Sequence, residues 1–221
     1  MNEMIQLEKV SKTFDVLSRQ IQALKDVDMN IGKREFCIVR GPSGSGKTTL
    51  LMGIGGMQRP SSGSVIIKGQ DIYSLNNPER TRFRASNIGF VFQTFYLIPY
   101  LNVLENVMLS AGLEKDGSGQ RKAEELIDQL GMAGRILHKP SELSAGECQR
   151  VALARALIHQ PEIILADEPT GNLDPDNSSE VINILEDYHQ GGGTVILATH
   201  GKDADQYADR IFSLNKGEII Q

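Results

Sequence analysis

The chain contains no tryptophan and only two cysteines, Cys37 and Cys148, far apart in the sequence. Thiols so placed have neither metal-ligand spacing nor the look of a disulfide framework. Each reads as an ordinary thiol. Cys37 sits in an apolar run as a small core residue, and Cys148 falls near a helix start, a setting that favours thiolate. No apolar run approaches the ~18 residues that a membrane span needs. Basic residues do not exceed acidic ones, 23 against 28, and the net charge of -5 gives no electrostatic case for nucleic-acid binding. The opening Met1-Asn2-Glu3-Met4 lacks the basic and apolar regions of a signal peptide. These absences predict a cytosolic chain. Its 221 residues suffice for one large domain or two small ones, and a 40% hydrophobic content is enough to build a core.

What is present is organised around Gly41-Pro42-Ser43-Gly44-Ser45-Gly46-Lys47-Thr48. This fits G-x-x-x-x-G-K-[ST], a loop whose backbone N–H groups turn inward on phosphate oxygens. The apolar run Phe36-Cys37-Ile38-Val39 before it reads as a buried strand, and Thr49-Leu50-Leu51-Met52 after it as a helix start. Strand, loop and helix are the context the motif requires, and the helix N-terminus adds partial positive charge. Lys47 is expected at the β- and γ-phosphates and Thr48 on Mg²⁺. A Gly/Ser linker fits this pattern by accident in roughly one chain in a hundred of this length, before the flanks are counted.

Residues 1–31 read as strands, with Val27, Met29 and Ile31 alternating with Asp28 and Asn30. Phe14 precedes a turn; the pattern favours core packing over a stacking surface for a base. Val65-Ile66-Ile67 is a short strand, residues 71–87 a solvated loop and helix, and Ile88–Phe92 a strand closed by Gln93. The connection from Thr94 to Leu101 carries Phe95, Tyr96, Leu97, Ile98 and Tyr100. It either marks a partner surface or folds onto a neighbouring helix. Helical spacing recurs at Leu104, Val107, Met108 and Ala111, behind a capping box at Asn102 and Glu105. It recurs again at Ala123, Leu126, Ile127 and Leu130, and at Val151, Ala154 and Ile158, with a flexible loop expected over Asp116-Gly117-Ser118-Gly119. After these come a buried strand ending in Asp167 and Glu168, an amphipathic helix through Val181 and Leu185, and a buried strand ending in His200. A final helix and a hairpin turning at Gly217 close the chain.

Apolar strands alternating with helices predict an α/β fold with a mostly parallel sheet, polar groups at the carboxyl ends of its strands facing the ligand crevice. The expected division is a core of residues 1–93 and 159–221, with an antiparallel β part, and an inserted helical subdomain over 94–158. Asp167 and Glu168 follow four apolar residues, and acids so placed need a cation or donors. Beside a phosphate loop, Asp167 meets Mg²⁺ held by Thr48, and Glu168 orients or deprotonates the attacking water. Gln93 and His200 stand at strand ends within reach of the Mg²⁺ shell and the γ-phosphate; alone, each is more often an ordinary polar residue. Ser144 and Glu147 form a capping box. The Ser144 hydroxyl, the Gly146 N–H and the helix N-terminus also make a second phosphate site, one that a single chain does not need unless it serves another copy's nucleotide.

The motif set resembles the ATP-binding cassette (ABC) ATPases over nearly the whole chain. Gly41–Thr48 matches Walker A, Gln93 the Q-loop, Leu143–Glu147 the signature, Ile163–Glu168 Walker B, Asn172-Leu173-Asp174 the D-loop and His200 the switch histidine. The resemblance implies a P-loop NTPase core and Mg²⁺-dependent ATP hydrolysis. It implies a head-to-tail homodimer that sandwiches two ATPs between Walker A of one subunit and Ser144 and Gly146 of the other. Glu168 then becomes the catalytic base, His200 the γ-phosphate sensor, and Gln93 a Mg²⁺ ligand that also takes part in catalysis. Pro42, Ser43, Gly44, Ser45 and Thr49 join the nucleotide contacts, as does Asp174. Phe14 becomes the aromatic that stacks on adenine, reversing the preference for core.

Gly89–Gln93 with Leu97-Ile98-Pro99 and Leu104–Val107 is similar to the macrolide-exporter and lipoprotein-releasing branch. That branch implies a four-span permease partner, bound through Gln93 and the apolar stretch after it. The chain is then peripheral on the inner face of the cell membrane. Departures from the family pattern are Ala145 and Glu147 in the signature and Gly201 after His200. A soluble ATPase acting on DNA or the ribosome needs long coiled coils or two motif sets, which 221 residues with one set do not hold. A non-enzymatic sensor does not need Glu168 and His200.

Overall fold

Inward-facing Leu24, Val27, Met29 and Ile31 alternate with exposed neighbours along Arg19–Gly32, which forms strand β2. It pairs antiparallel with β1 (Glu3–Val16), and β4 (Ser62–Ile67) and β5 (Gln70–Asp71) extend that sheet in the order β2-β1-β4-β5. The computed structural model describes residues 3–16, 19–110 and 118–220.

A second sheet holds β3 (Phe36–Arg40), β6 (Ile88–Phe92), β7 (Ile163–Asp167), β8 (Thr194–Thr199), β9 (Arg210–Asn215) and β10 (Glu218–Ile220). Its spatial order is β10-β9-β3-β8-β7-β6. The run from β9 to β6 is parallel and β10 is an antiparallel edge. Every residue of β7 and β8 is buried, as expected of parallel strands covered on both faces.

Alternation along β3 divides the core. Cys37 and Val39 face the first sheet and helix α1 (Lys47–Ile54), among Leu50, Leu51 and Ile54. Phe36 and Ile38 face the opposite layer, built by α5 (Ala145–Leu157) and α6 (Pro175–Gln190) through Leu153, Val181 and Leu185. A third apolar cluster joins α3 (Val103–Met108), α4 (Ser118–Gln129) and α5 through Val103, Val107, Ala123, Ile127, Val151 and Ala154. Helix α2 (Asn77–Asn87) buries no residue and starts at a capping box of Asn76 and Glu79.

Two local expectations change. The helix expected before the last hairpin is a single 3₁₀ turn at Asp205–Tyr207, because Ala204 is the one fully buried side chain of 201–209 and no apolar stripe forms. Ser118 and Gly119 open α4 rather than a loop; Asp116 and Gly117, and the Ala111 expected to end α3, lie outside the described residues. The apolar connection after β6 is both pinned and partly open. Buried Asn106 accepts the Ile98 N–H at 2.7 Å and donates to the carbonyls of Ile98, Leu101 and Asn102. Arg155 donates to the carbonyls of Phe95 and Tyr96, while the Tyr96 and Tyr100 rings stay exposed.

Candidate nucleotide site

Four neighbouring parallel strands end on one edge of the second sheet, and each delivers a polar group there. β3 leads into the loop 41–46, β8 into His200, β7 into Glu168 and β6 into Gln93. A cleft of about 560 Å³ lies along this edge. The loop residues Pro42–Gly44 and Gly46–Thr49 line it, and Ala23, Gln93, Glu168 and His200 close it.

The loop depends on glycine for two separate reasons. Gly46 has a φ of 108°, and a Cβ there would stand 2.4 Å from the Ala23 carbonyl on β2. Gly41 has no room either, since its Cβ would lie 2.1 Å from the Leu214 carbonyl. Sequence reasoning missed Ala23, because a strand residue that meets the loop only through tertiary packing has no local signal.

Lys47 is buried, and its ammonium donates to the Gly41 carbonyl at 2.7 Å and the Pro42 carbonyl at 3.3 Å. It also stands 3.1 Å from Glu168 Oε1. The other oxygen, Glu168 Oε2, is 2.9 Å from His200 Nδ1. Glu168 sits in the left-handed region with a φ of 46°, and its N–H donates to the Ala198 carbonyl of β8 at 2.8 Å. The strained turn aims the carboxylate back over the cleft, between the lysine and the histidine.

Asp167 lies under this group, 7% exposed, and Oδ1 has no hydrogen-bond partner in the protein. Burial pushes its carboxyl above the usual carboxylate range, only partly offset by a hydrogen bond from the Thr48 side chain. Among the described residues no three His, Cys, Asp or Glu side chains converge as a metal cluster. An orphaned carboxylate oxygen beside a threonine hydroxyl fits Mg²⁺, which takes one or two protein ligands and completes its shell with phosphate and water. Gln93 Nε2 is 3.5 Å from Asn172 Oδ1, and Asn172 Nδ2 donates to the Gln93 carbonyl at 3.3 Å, so the ends of β6 and the turn after β7 are linked.

Comparison with known proteins identifies this arrangement. Residues 24–171 match the ABC transporter family. The chain belongs to that family. It is an ABC ATPase cassette.

The cassette superposes on the dimeric structure of MJ0796, described as a bacterial ABC transporter cassette, with a TM-score of 0.92. The two are 40% identical, over 99% of this chain and 97% of that one. A second MJ0796 structure, a post-hydrolysis dimer bound to ADP and Pi, matches equally well. An ABC transporter ATP-binding protein of Methanocaldococcus jannaschii, MJ1508, is 42% identical over 99% of the cassette and 98% of its own length. The macrolide export ATP-binding/permease protein MacB of Bdellovibrio bacteriovorus is 40% identical over 98% of the cassette. The cassette spans only 33% of that exporter's length. Among the described residues no helix is long and apolar enough to cross a membrane.

Ser144 and Gly146 do not line the cleft that holds Lys47. Ser144 caps α5: its Oγ accepts the Glu147 N–H at 3.2 Å, and Glu147 Oε2 accepts the Ser144 N–H at 2.7 Å. The Ser144 N–H and the Arg135 guanidinium, 2.9 Å from Oε1, hold the Glu147 carboxyl below its usual range. Glu147, one of the departures from the family pattern, thus completes the cap. Asp174 caps α6 by accepting the N–H groups of Asp176 and Asn177, and those donors with the Asn177 amide lower its carboxyl. Phe14 is half-buried, paired across the hairpin with Ile21 and with the Lys12 ammonium 5.1 Å from its ring centre; it does not line the cleft.

Cys148 lies in the first turn of α5. Burial and the neighbouring Glu147 raise its thiol above the ordinary value, so the helix start does not favour a thiolate. Burial raises Cys37 further.

Proposed function

We propose that this cassette is the ATP-driven motor of a membrane transport complex. The observation that carries the reading is the convergence of Lys47, Glu168 and His200 on one cleft, above an Asp167 oxygen that no protein group satisfies. Two copies pair head to tail, and each ATP lies between the Gly41–Thr49 loop of one copy and Ser144 and Gly146 of the other. The dimeric MJ0796 structures support the pairing. It also explains why an exposed helix start carries a signature that its own cleft does not use.

Residues 1–93 and 159–221 act as the nucleotide-binding core and 94–158 as the helical subdomain that carries the signature. Thr48, Asp167 and Gln93 hold Mg²⁺, which when bound neutralises charge on the β- and γ-phosphates. Lys47 exchanges its carbonyl and carboxylate partners for phosphate oxygens. Glu168, released from Lys47, accepts the proton of the attacking water, and His200 contacts the γ-phosphate. Asp174 approaches the nucleotide of the partner, and adenine stacks on Phe14.

The partner is an integral-membrane permease of the four-span type, docked on the connection that exposes Tyr96 and Tyr100. The cassette then sits on the cytoplasmic face of the membrane and drives export, extraction or a mechanical movement; it binds no nucleic acid. That MacB combines ATP-binding and permease parts supports this. The test is Glu168→Gln. The variant is expected to bind Mg-ATP, to dimerise in it, and to lose turnover; full turnover would falsify the assignment of Glu168. Tagged variant incubated with solubilised membranes should then capture a permease.

A further inference from the structure

Asn177, in the first turn of α6, connects the D-loop to the signature of the same chain. Its backbone N–H reaches Asp174 Oδ1 at 3.0 Å, and its amide Nδ2 reaches Asp174 Oδ2 at 2.6 Å. With the amide nitrogen held there, the carboxamide oxygen is turned onto Gly146. A Cβ on Gly146 would stand 1.8 Å from Asn177 Oδ1, 2.3 Å from its Cγ and 3.0 Å from its Cβ. Gly146 lies inside α5, so the contact demands glycine for space and not for backbone conformation. A rotated Asn177 side chain would still leave its own Cβ in tight contact at 3.0 Å.

One turn further along, Arg150 pairs with Glu180. Gly146 and Arg150 are four apart on α5, and Asn177 and Glu180 are three apart on α6. The two helices therefore meet at successive rungs along one face of each. The lower rung ties helix to helix. The upper one joins the N-terminal turn of α5, where the signature lies, to the cap of α6, where the D-loop ends.

We propose that Asn177 is a positioning residue that makes the Ser144–Gly146 turn and the Asp174 turn one rigid unit. The proposal rests on the paired-site reading above. It adds that the signature is aimed at the partner's nucleotide by the D-loop of its own chain, through Asn177. Asn177 itself touches neither the nucleotide nor the reacting atoms.

The test uses the full chain in the Glu168→Gln background, with Mg-ATP as the probe and sedimentation to read the dimer. Asn177→Ala should weaken ATP-driven dimerisation at least tenfold while the affinity of the single chain for fluorescent ATP stays within twofold. With Glu168 intact, it should lower kcat with little change in KM. Asn177→Ser can still donate to Asp174 but lacks the carboxamide that packs on Gly146, so it should behave as the alanine variant does. If serine restores dimerisation, helix capping and not the Gly146 contact is what matters, and the proposal falls. If both variants dimerise as the parent does, the role of Asn177 is overturned and the paired site stands. If the Glu168→Gln parent fails to dimerise in ATP, the paired site is overturned and the proposal goes with it. Should the alanine variant not fold, the serine variant gives the same reading alone.

Discussion

The ammonium of Lys47 lies 3.1 Å from Oε1 of Glu168, with both side chains largely buried. The residue expected to hold phosphate and the one expected to deprotonate water are thus partners of each other. On the proposed reading, an incoming γ-phosphate would compete for the lysine and free the carboxylate in the same step.

Lys47→Ala removes a charge-assisted contact of about 1.5–3 kcal/mol, or roughly 10–100-fold in affinity. The Kd for Mg-ATP, read by fluorescent nucleotide titration, should rise by that factor. An unchanged Kd would remove Lys47 from the phosphate site.

Asp167 is held above the usual carboxylate range by burial. Between the unfolded value and that raised value, the folded chain binds more protons than the unfolded one. The contribution of this group to stability therefore falls as pH rises through the window and is recovered as pH drops. Asp167→Asn should raise Tm at pH 7.5, by about 2–4 °C for each kcal/mol relieved in a domain of this size. The gain should shrink toward acid pH in calorimetry at a series of pH values. The same variant should lose Mg²⁺-dependent turnover. A lower Tm than the parent at pH 7.5 would contradict the assignment of an unsatisfied buried charge.

Asn106 makes four hydrogen bonds to the backbone of 98–102 from a fully buried position. Asn106→Ala leaves several of those groups unpaired and should cost about 2–4 kcal/mol in urea unfolding. Asn106 does not line the cleft, so ATP affinity of the folded variant should not change. A loss below about 1 kcal/mol would mean that water replaces the carboxamide.

Both thiols are raised by burial, Cys148 with help from Glu147. Alkylation of the native chain by iodoacetamide at pH 7.5, followed by mass spectrometry, should be slower at both sites than for a free cysteine. Fast labelling of Cys148 would show that the N-terminus of α5 outweighs its burial.

Much of the fold was legible because burial is written in short periods. β2 alternates, β7 and β8 are continuous apolar runs, and the caps at Asn102 and Ser144 stand where the hydroxyl or carboxamide and glutamate spacing places them. The phosphate loop was legible because its glycines, lysine and threonine are contiguous. Ala23, Asn106, Arg155 and Asn177 carried no signal, since each acts through a contact with a distant segment. The 201–209 stretch was misread as helix because a helix is the usual step between parallel strands, and one apolar anchor is too few to build it. The depth of Cys148 carried no signal, since it depends on the packing of α5, which spacing does not report.

The order of the second sheet bears on when the enzyme becomes active during its own synthesis. β8 lies between β3 and β7, yet it is Thr194–Thr199, among the later segments to leave the ribosome. Until it inserts, the phosphate loop follows a strand, β3, that has no partner in its sheet, because β9 and β10 are made later still, while the acidic turn belongs to the β6-β7 pair. Pairings of such long sequence separation form slowly. A nascent chain can hold every residue of the Walker motifs and still be expected not to hydrolyse ATP. A chain arrested before residue 194 should be both inactive and, with β3 unpaired on both sides and β7 open along one edge, prone to aggregate.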